Sequence, residues 1–80
     1  MNVTLEISYY PLKDNAHQAI KKFIEMLNES KLFQISVQPM STLIIGEYND
    51  IFPFLTDKIQ LILEKYPSVF VLKLSNTCPV

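Results

Sequence analysis

The residues of this 80-residue chain that are best suited to bind a ligand occur in two short segments. One segment contains Ser8 and Tyr10, and the other contains Met40, Ser41 and Thr42. Hydroxyl groups donate and accept hydrogen bonds, a tyrosine ring packs against another ring, and methionine adapts its shape to its neighbours. Brought together, they would form a polar pocket with an aromatic surface. The alternative interpretation, which the pattern alone favours, is that the serine and threonine hydroxyl groups only satisfy backbone groups of a turn.

Glu6 is a carboxylate between two apolar residues of the first segment. A carboxylate accepts hydrogen bonds, so this side chain could bind a cation or an aminopyrimidine. A cross-strand ion pair with Lys73 explains it equally well, because opposite charges stabilise neighbouring strands when they face each other. The sequence leaves both interpretations open.

Residue types that carry catalysis or hold metal ions are scarce. The chain has one histidine, His17, one cysteine, Cys78, and no arginine. One cysteine and one histidine are too few for a zinc site of these ligands, and no basic cluster near Cys78 would activate its thiol. The only glycine, Gly46, excludes a phosphate-binding loop or a dinucleotide motif. We therefore expect no enzymatic activity, no cofactor and no metal.

The composition also limits the compartment and the partners. The chain is 49% hydrophobic with a formal net charge of −1, and no apolar run reaches the about 18 residues that span a bilayer. The N-terminal segment has no signal-peptide pattern, and a single cysteine suits a reducing compartment. Nucleic-acid binding draws on clustered positive charge and on arginine. We expect a cytoplasmic protein with no nucleic-acid or membrane partner.

The periodicity of apolar residues predicts six elements in the order strand, helix, strand, strand, helix, strand. The predicted strands cover residues 3–10, 33–38, 42–48 and 69–74, and the predicted helices cover residues 14–30 and 49–66. Asp14 or Asn15 would cap the first helix, and Asn49 or Asp50 the second. Pro67 ends the second helix because proline cannot continue it.

This element order predicts a single α+β domain over residues 1–80. With right-handed crossovers it gives a ferredoxin-like βαββαβ fold, whose four-stranded antiparallel sheet has the strand order 4-1-3-2 and both helices on one face. Strands one and three are then antiparallel neighbours. The end of the first strand, with Ser8 and Tyr10, would therefore lie beside the start of the third, with Ser41 and Thr42.

One face of the predicted sheet has no helix to cover it. Alternation in the first strand places Thr4, Glu6, Ser8 and Tyr10 on this open face. The fourth strand adds either Val69, Val71 and Lys73 or Phe70, Leu72 and Leu74, and alternation beside the polar residues favours the first group. A broad, half-apolar face is unfavourable in water. We expect a second copy of the chain to cover it or to pair along the edge of the second strand, giving a homodimer or homotetramer. Phe54 and Leu61, seven residues apart and off the buried side of the second helix, would extend the apolar surface of that helix toward a subunit contact.

Several short motifs follow one another on these elements, at residues 6–12, 39–42, 46–47 and 50–52. Residues 78–79, Cys-Pro, are similar to the ending of proteins that carry two tandem repeats. In these motifs the chain resembles the YkoF-like family of thiamine-binding proteins. The resemblance implies a ferredoxin-like unit that binds thiamine, or its hydroxymethylpyrimidine part, without turnover. Because this chain holds one repeat, an oligomer would supply the second half.

The resemblance also implies roles for the candidate residues. Ser8, Ser41 and Thr42 would form hydrogen bonds to the aminopyrimidine, and Tyr10 would stack on it. Met40 matches a motif position, and Glu6 matches in residue type. Such a protein would be a carrier or sensor of its ligand. The alternative function is a regulatory or structural oligomerisation module of the same fold without a thiamine ligand.

Overall fold

The computed structural model describes residues 1–12, 16–31 and 33–76. Its elements follow the predicted order: β1 (Asn2–Pro11), α1 (Ala16–Leu27), β2 (Gln34–Val37), β3 (Thr42–Glu47), α2 (Tyr48–Lys65) and β4 (Ser68–Ser75). The strands form one four-stranded sheet of order β2-β3-β1-β4, and every neighbouring pair is antiparallel. The predicted ferredoxin-like α+β fold is confirmed.

Strict alternation in β1 and β3 places one side of each strand in the core. Val3, Leu5 and Ile7 of β1 and Ile44 of β3 are almost completely buried beneath the helices. The helices contribute the buried side chains Ala19, Phe23, Met26, Leu27, Ile51, Leu55 and Ile62. Their spacing of three and four residues keeps them on one side of each helix. The core therefore lies between one face of the sheet and the two helices.

The start of α2 differs from the prediction. Neither Asn49 nor Asp50 caps the helix, because the chain passes from β3 directly into α2 and Glu47 occupies the N-cap without a side-chain hydrogen bond. The Tyr48 amide instead donates to the Met1 carbonyl over 2.9 Å. This bond satisfies a helical amide that would otherwise need a cap. The predicted caps of the first helix, Asp14 and Asn15, lie outside the described residues.

The open face of the sheet has the predicted composition along β4. Tyr10 lies opposite Val69, Ser8 opposite Val71, and Glu6 opposite Lys73. On the other side of β1, Glu6 faces Leu43 and Thr4 faces Ile45. Since residues directly opposite each other share a face, valine, leucine and isoleucine side chains lie among the polar ones. Val69 and Val71 are exposed.

No helix among the described residues has the length and hydrophobicity needed to cross a membrane.

Candidate ligand-binding site

The end of β1 lies beside the start of β3, as the strand order predicts. Ile7 is directly opposite Thr42, and both side chains are buried on the helix side of the sheet. Because successive residues of a strand point to opposite faces, Ser8 and Tyr10 lie on the open face instead. The structure therefore does not bring Ser8 and Tyr10 together with Thr42. The residues that were expected to form one pocket lie on two different faces of the sheet.

A pocket of about 120 Å³ occupies the helix side at this end of the sheet. We call it the turn pocket, because its mouth is formed by the turn between β2 and β3. It is lined by Ile7, Tyr9, Ile20, Phe23, Ile24, Val37, Pro39, Met40, Ser41 and Thr42. An engineered cavity of about 150 Å³ in another protein binds benzene. The turn pocket is therefore close to the size of one six-membered ring.

An aromatic wall on one side of the turn pocket is held rigidly. Tyr9 stacks on Phe70 with ring centroids 4.4 Å apart and meets Phe23 edge to face at 5.5 Å. The Tyr9 hydroxyl lies 2.8 Å from Ser68 Oγ, which in turn donates to the Tyr66 carbonyl over 3.0 Å. Because the Ser68 proton is used in that second bond, Tyr9 is the donor in the first. The sequence analysis assigned the aromatic contact to Tyr10, which is instead exposed on the open face.

The hydroxyl groups of Ser41 and Thr42 are free to accept a ligand. Neither forms a side-chain hydrogen bond within residues 1–12, 16–31 and 33–76. The turn is closed by backbone groups, with the Gln38 amide donating to the Ser41 carbonyl over 2.8 Å. Thr42 is only 6% exposed, yet none of the described side-chain oxygens is both buried and unpartnered. The Thr42 hydroxyl therefore reaches the open space of the pocket.

Met40 lies at the mouth of the turn pocket and is largely exposed. An unbranched thioether side chain rearranges easily and makes favourable contacts with aromatic rings. The side chain can therefore fold over a ring that enters the pocket.

Glu6 does not contribute to the turn pocket. Its Oε1 lies 3.4 Å from Lys73 Nζ on the open face, which is the cross-strand pair that the sequence left open. Lys73 is 77% exposed in its side chain, so solvent weakens the attraction. Glu47 lies at the other end of β3, opposite Asn2, and contacts the amino group of Met1 at 2.5 Å.

The described residues contain no group of three or more histidine, cysteine, aspartate or glutamate side chains placed to hold a metal ion. His17 is exposed on α1. Cys78 and the Cys-Pro motif lie outside the described residues.

The chain is a small ferredoxin-like domain with a pocket of about the size of one ring at one end of its sheet. A family model described as "Thiamine-binding protein" matches residues 5–74. The chain belongs to this family of thiamine-binding proteins, and the family resemblance noted in the sequence is confirmed. No match to the chain was found among curated proteins.

Solved structures share the fold at low sequence identity. A protein of Streptococcus pneumoniae has a TM-score of 0.87 at 16% identity, over 96% of this chain and 88% of that one. A Thermotoga maritima protein, provisionally described as a thiamine biosynthesis/salvage protein, has a TM-score of 0.84 at 20% identity, over 96% and 85%. A domain of unknown function from Bacillus cereus has a TM-score of 0.80 at 18% identity, over 96% and 77%.

Proposed function

We propose that this protein binds thiamine, or its hydroxymethylpyrimidine part, in the turn pocket and releases it unchanged, as a carrier or sensor. The observation that carries the proposal is the pair of unpartnered hydroxyl groups, Ser41 and Thr42, beside the aromatic wall of a ring-sized pocket. Membership of the thiamine-binding family supports the choice of ligand.

The turn pocket suits the pyrimidine ring of thiamine better than the whole molecule. Its volume of about 120 Å³ accepts one ring. The Ser41 and Thr42 hydroxyl groups can accept from the exocyclic amine and donate to a ring nitrogen. Tyr9 and Phe23 offer aromatic surface, and Met40 covers the ring from the mouth. The positively charged thiazolium ring would remain outside, in water.

The lining of the turn pocket supports binding without chemistry. Its described residues are aliphatic, aromatic, proline, methionine, serine and threonine side chains. None is a histidine, carboxylate, lysine or cysteine of the kind that acts as a general base or activated nucleophile. The Tyr9 hydroxyl, the remaining acidic proton, is already donated to Ser68.

The proposal assigns the ligand contacts to Met40, Ser41 and Thr42 and gives Glu6, Ser8 and Tyr10 a different task. These three side chains lie on the open face of the sheet, among the apolar residues Leu43, Ile45, Val69 and Val71. A second copy packed on this face would remove that apolar surface from water. Self-association as a homodimer or homotetramer is therefore part of the proposal.

Titration calorimetry tests the ligand directly. The wild type is titrated with thiamine and with free hydroxymethylpyrimidine, and we expect both to bind, since the pyrimidine makes the main contacts. Thr42→Val and Ser41→Ala should each weaken binding about fivefold to tenfold, the value of one hydrogen bond. Ser36→Ala is the matched control, because Ser36 lies opposite Leu43 on the open face. Absence of heat at millimolar ligand would overturn the proposal.

The exposed apolar residues of the open face favour a second candidate function, an oligomerisation module with an unused pocket. The two candidates differ in what the pocket variants change. A module would keep its subunit number in the variant that combines Ser41→Ala and Thr42→Val, and it would bind neither thiamine nor the pyrimidine before or after the change.

A further inference from the structure

A second concavity, of about 290 Å³, lies between the two helices. We call it the helical groove, because most of its lining residues belong to the two helices. It is lined by Lys22, Met26, Glu29, Lys58, Leu61, Ile62, Lys65 and Tyr66. Its floor is apolar and consists of the side chains of Met26, Ile62 and Tyr66, which are nearly buried. Leu61 is 47% exposed in the same groove. An apolar floor and an exposed leucine suit the hydrophobic part of a ligand.

The rim of the helical groove carries three lysines and one glutamate. Lys58 is held in place: its Nζ lies 3.5 Å from Glu29 and 3.7 Å from Asp57, and its side chain is only 19% exposed. It also lies 5.3 Å from the centre of the Phe54 ring. Within the groove lining, Glu29 therefore compensates the charge of Lys58, whereas Asp57 lies outside the lining.

The other two lysines of the rim lack such partners. Lys22 and Lys65 form no ion pair with any residue in the described parts of the chain. The Lys65 ammonium instead lies 5.5 Å above the Tyr66 ring. The groove therefore combines two uncompensated positive charges with apolar surface, which is the arrangement that complements an anion with a hydrophobic body.

We propose that the helical groove binds a small amphiphilic anion, a carboxylate attached to an aliphatic or aromatic body. The carboxylate pairs with the ammonium groups of Lys22 and Lys65, and the body lies on Leu61 and the apolar floor. Thiamine does not fit this description, because its thiazolium ring is a cation and the rim is positive. In this proposal the helical groove and the turn pocket are separate sites, one for an anion and one for an uncharged pyrimidine ring.

The size of the groove favours a small molecule over a protein partner. Its volume of about 290 Å³ is close to the lower end of small-molecule sites, which span about 300 to 1,000 Å³. A stable protein interface buries about 800 Å² on each partner. Leu61 is the only apolar residue of the groove lining that is strongly exposed. One exposed leucine provides too little apolar surface for the buried centre of such an interface.

Paired ligands of equal length and opposite charge test the proposal. Octanoate and octylamine are titrated into the wild-type protein and followed by amide chemical shifts. We expect octanoate to bind and to shift signals of residues such as Met26 and Leu61, and octylamine to bind at least about tenfold more weakly. Equal binding of the two ligands, octanoate shifts confined to the turn pocket, or no octanoate binding would overturn the proposal.

Charge-matched variants distinguish binding in the helical groove from a general effect of the protein's charge on octanoate binding. The variant that combines Lys22→Gln and Lys65→Gln should bind octanoate about tenfold more weakly. The control combines Lys21→Gln and Lys31→Gln, which removes the same charge from exposed positions outside the groove lining, and should bind like the wild type. An equal loss in both variants would contradict the proposal. Both variants should bind thiamine like the wild type.

Discussion

Ile7 and Thr42 face each other across β1 and β3, with both side chains on the helix side of the sheet. This pairing decides which hydroxyl groups share a pocket. It places Thr42 beside the aromatic wall of Tyr9 and Phe23, and it leaves Ser8 on the opposite face. The turn pocket, which we propose binds the ligand, is thereby formed around one buried threonine and the turn that precedes it.

Tyr9→Phe should destabilise the domain by about 1 kcal/mol, because the change removes a partly buried hydrogen bond to Ser68. Urea denaturation measures the difference in the free energy of unfolding. Tyr10→Phe is the matched control, since Tyr10 is exposed, and it should change stability by less than about 0.5 kcal/mol. Equal effects of the two substitutions would show that the Tyr9 hydroxyl does not brace the aromatic wall.

The ion pair of Glu6 with Lys73 should contribute little to stability. In the single chain both side chains are exposed by more than a third. A double-mutant cycle of Glu6→Gln and Lys73→Met, measured at protein concentrations that keep the chain monomeric, should therefore give a coupling of less than about 0.5 kcal/mol. Glu6→Gln should also leave thiamine binding unchanged, because the carboxylate lies on the open face. Loss of binding in this variant would assign Glu6 to the ligand site.

Val71→Glu should break self-association, because it places a charge in the middle of the open face, opposite Ser8. Sedimentation measures the subunit number of the variant, and circular dichroism verifies that it folds. Leu63→Glu is the control, since Leu63 is exposed on α2. If Leu63→Glu dissociates the protein and Val71→Glu does not, the subunits meet on the helix side.

The fold follows from patterns that are local in the sequence. Alternation in β1 has a single phase, whereas β4 is apolar on both sides. The polar residues of β1 favoured Val69, Val71 and Lys73 for the open face, and the pairing of β1 with β4 confirms that choice. The start of α2 was misplaced because asparagine and aspartate are the usual caps, whereas here the Tyr48 amide bonds to the distant Met1 carbonyl. A long-range backbone bond of this kind leaves no signal in the local sequence.

The site was predicted only in part, because it depends on register. Strand order alone brings Ser8 close to Thr42, but a shift of one residue decides whether their side chains share a face. Leu43, Ile44 and Ile45 are all apolar, so alternation in β3 does not show which of its faces is buried. The contribution of Tyr9 to the turn pocket was also missed. Tyr9 lies near the end of β1, where its ring packs against the core and also lines the pocket.

Amide chemical shifts of the protein during titration with thiamine test the central claim most directly. If the pyrimidine ring enters the turn pocket, the signals of Tyr9, Met40, Ser41 and Thr42 should move in a saturable way, while that of Lys73 on the open face should stay in place. Saturable shifts around Lys73 with none at Ser41 and Thr42 would contradict the claim.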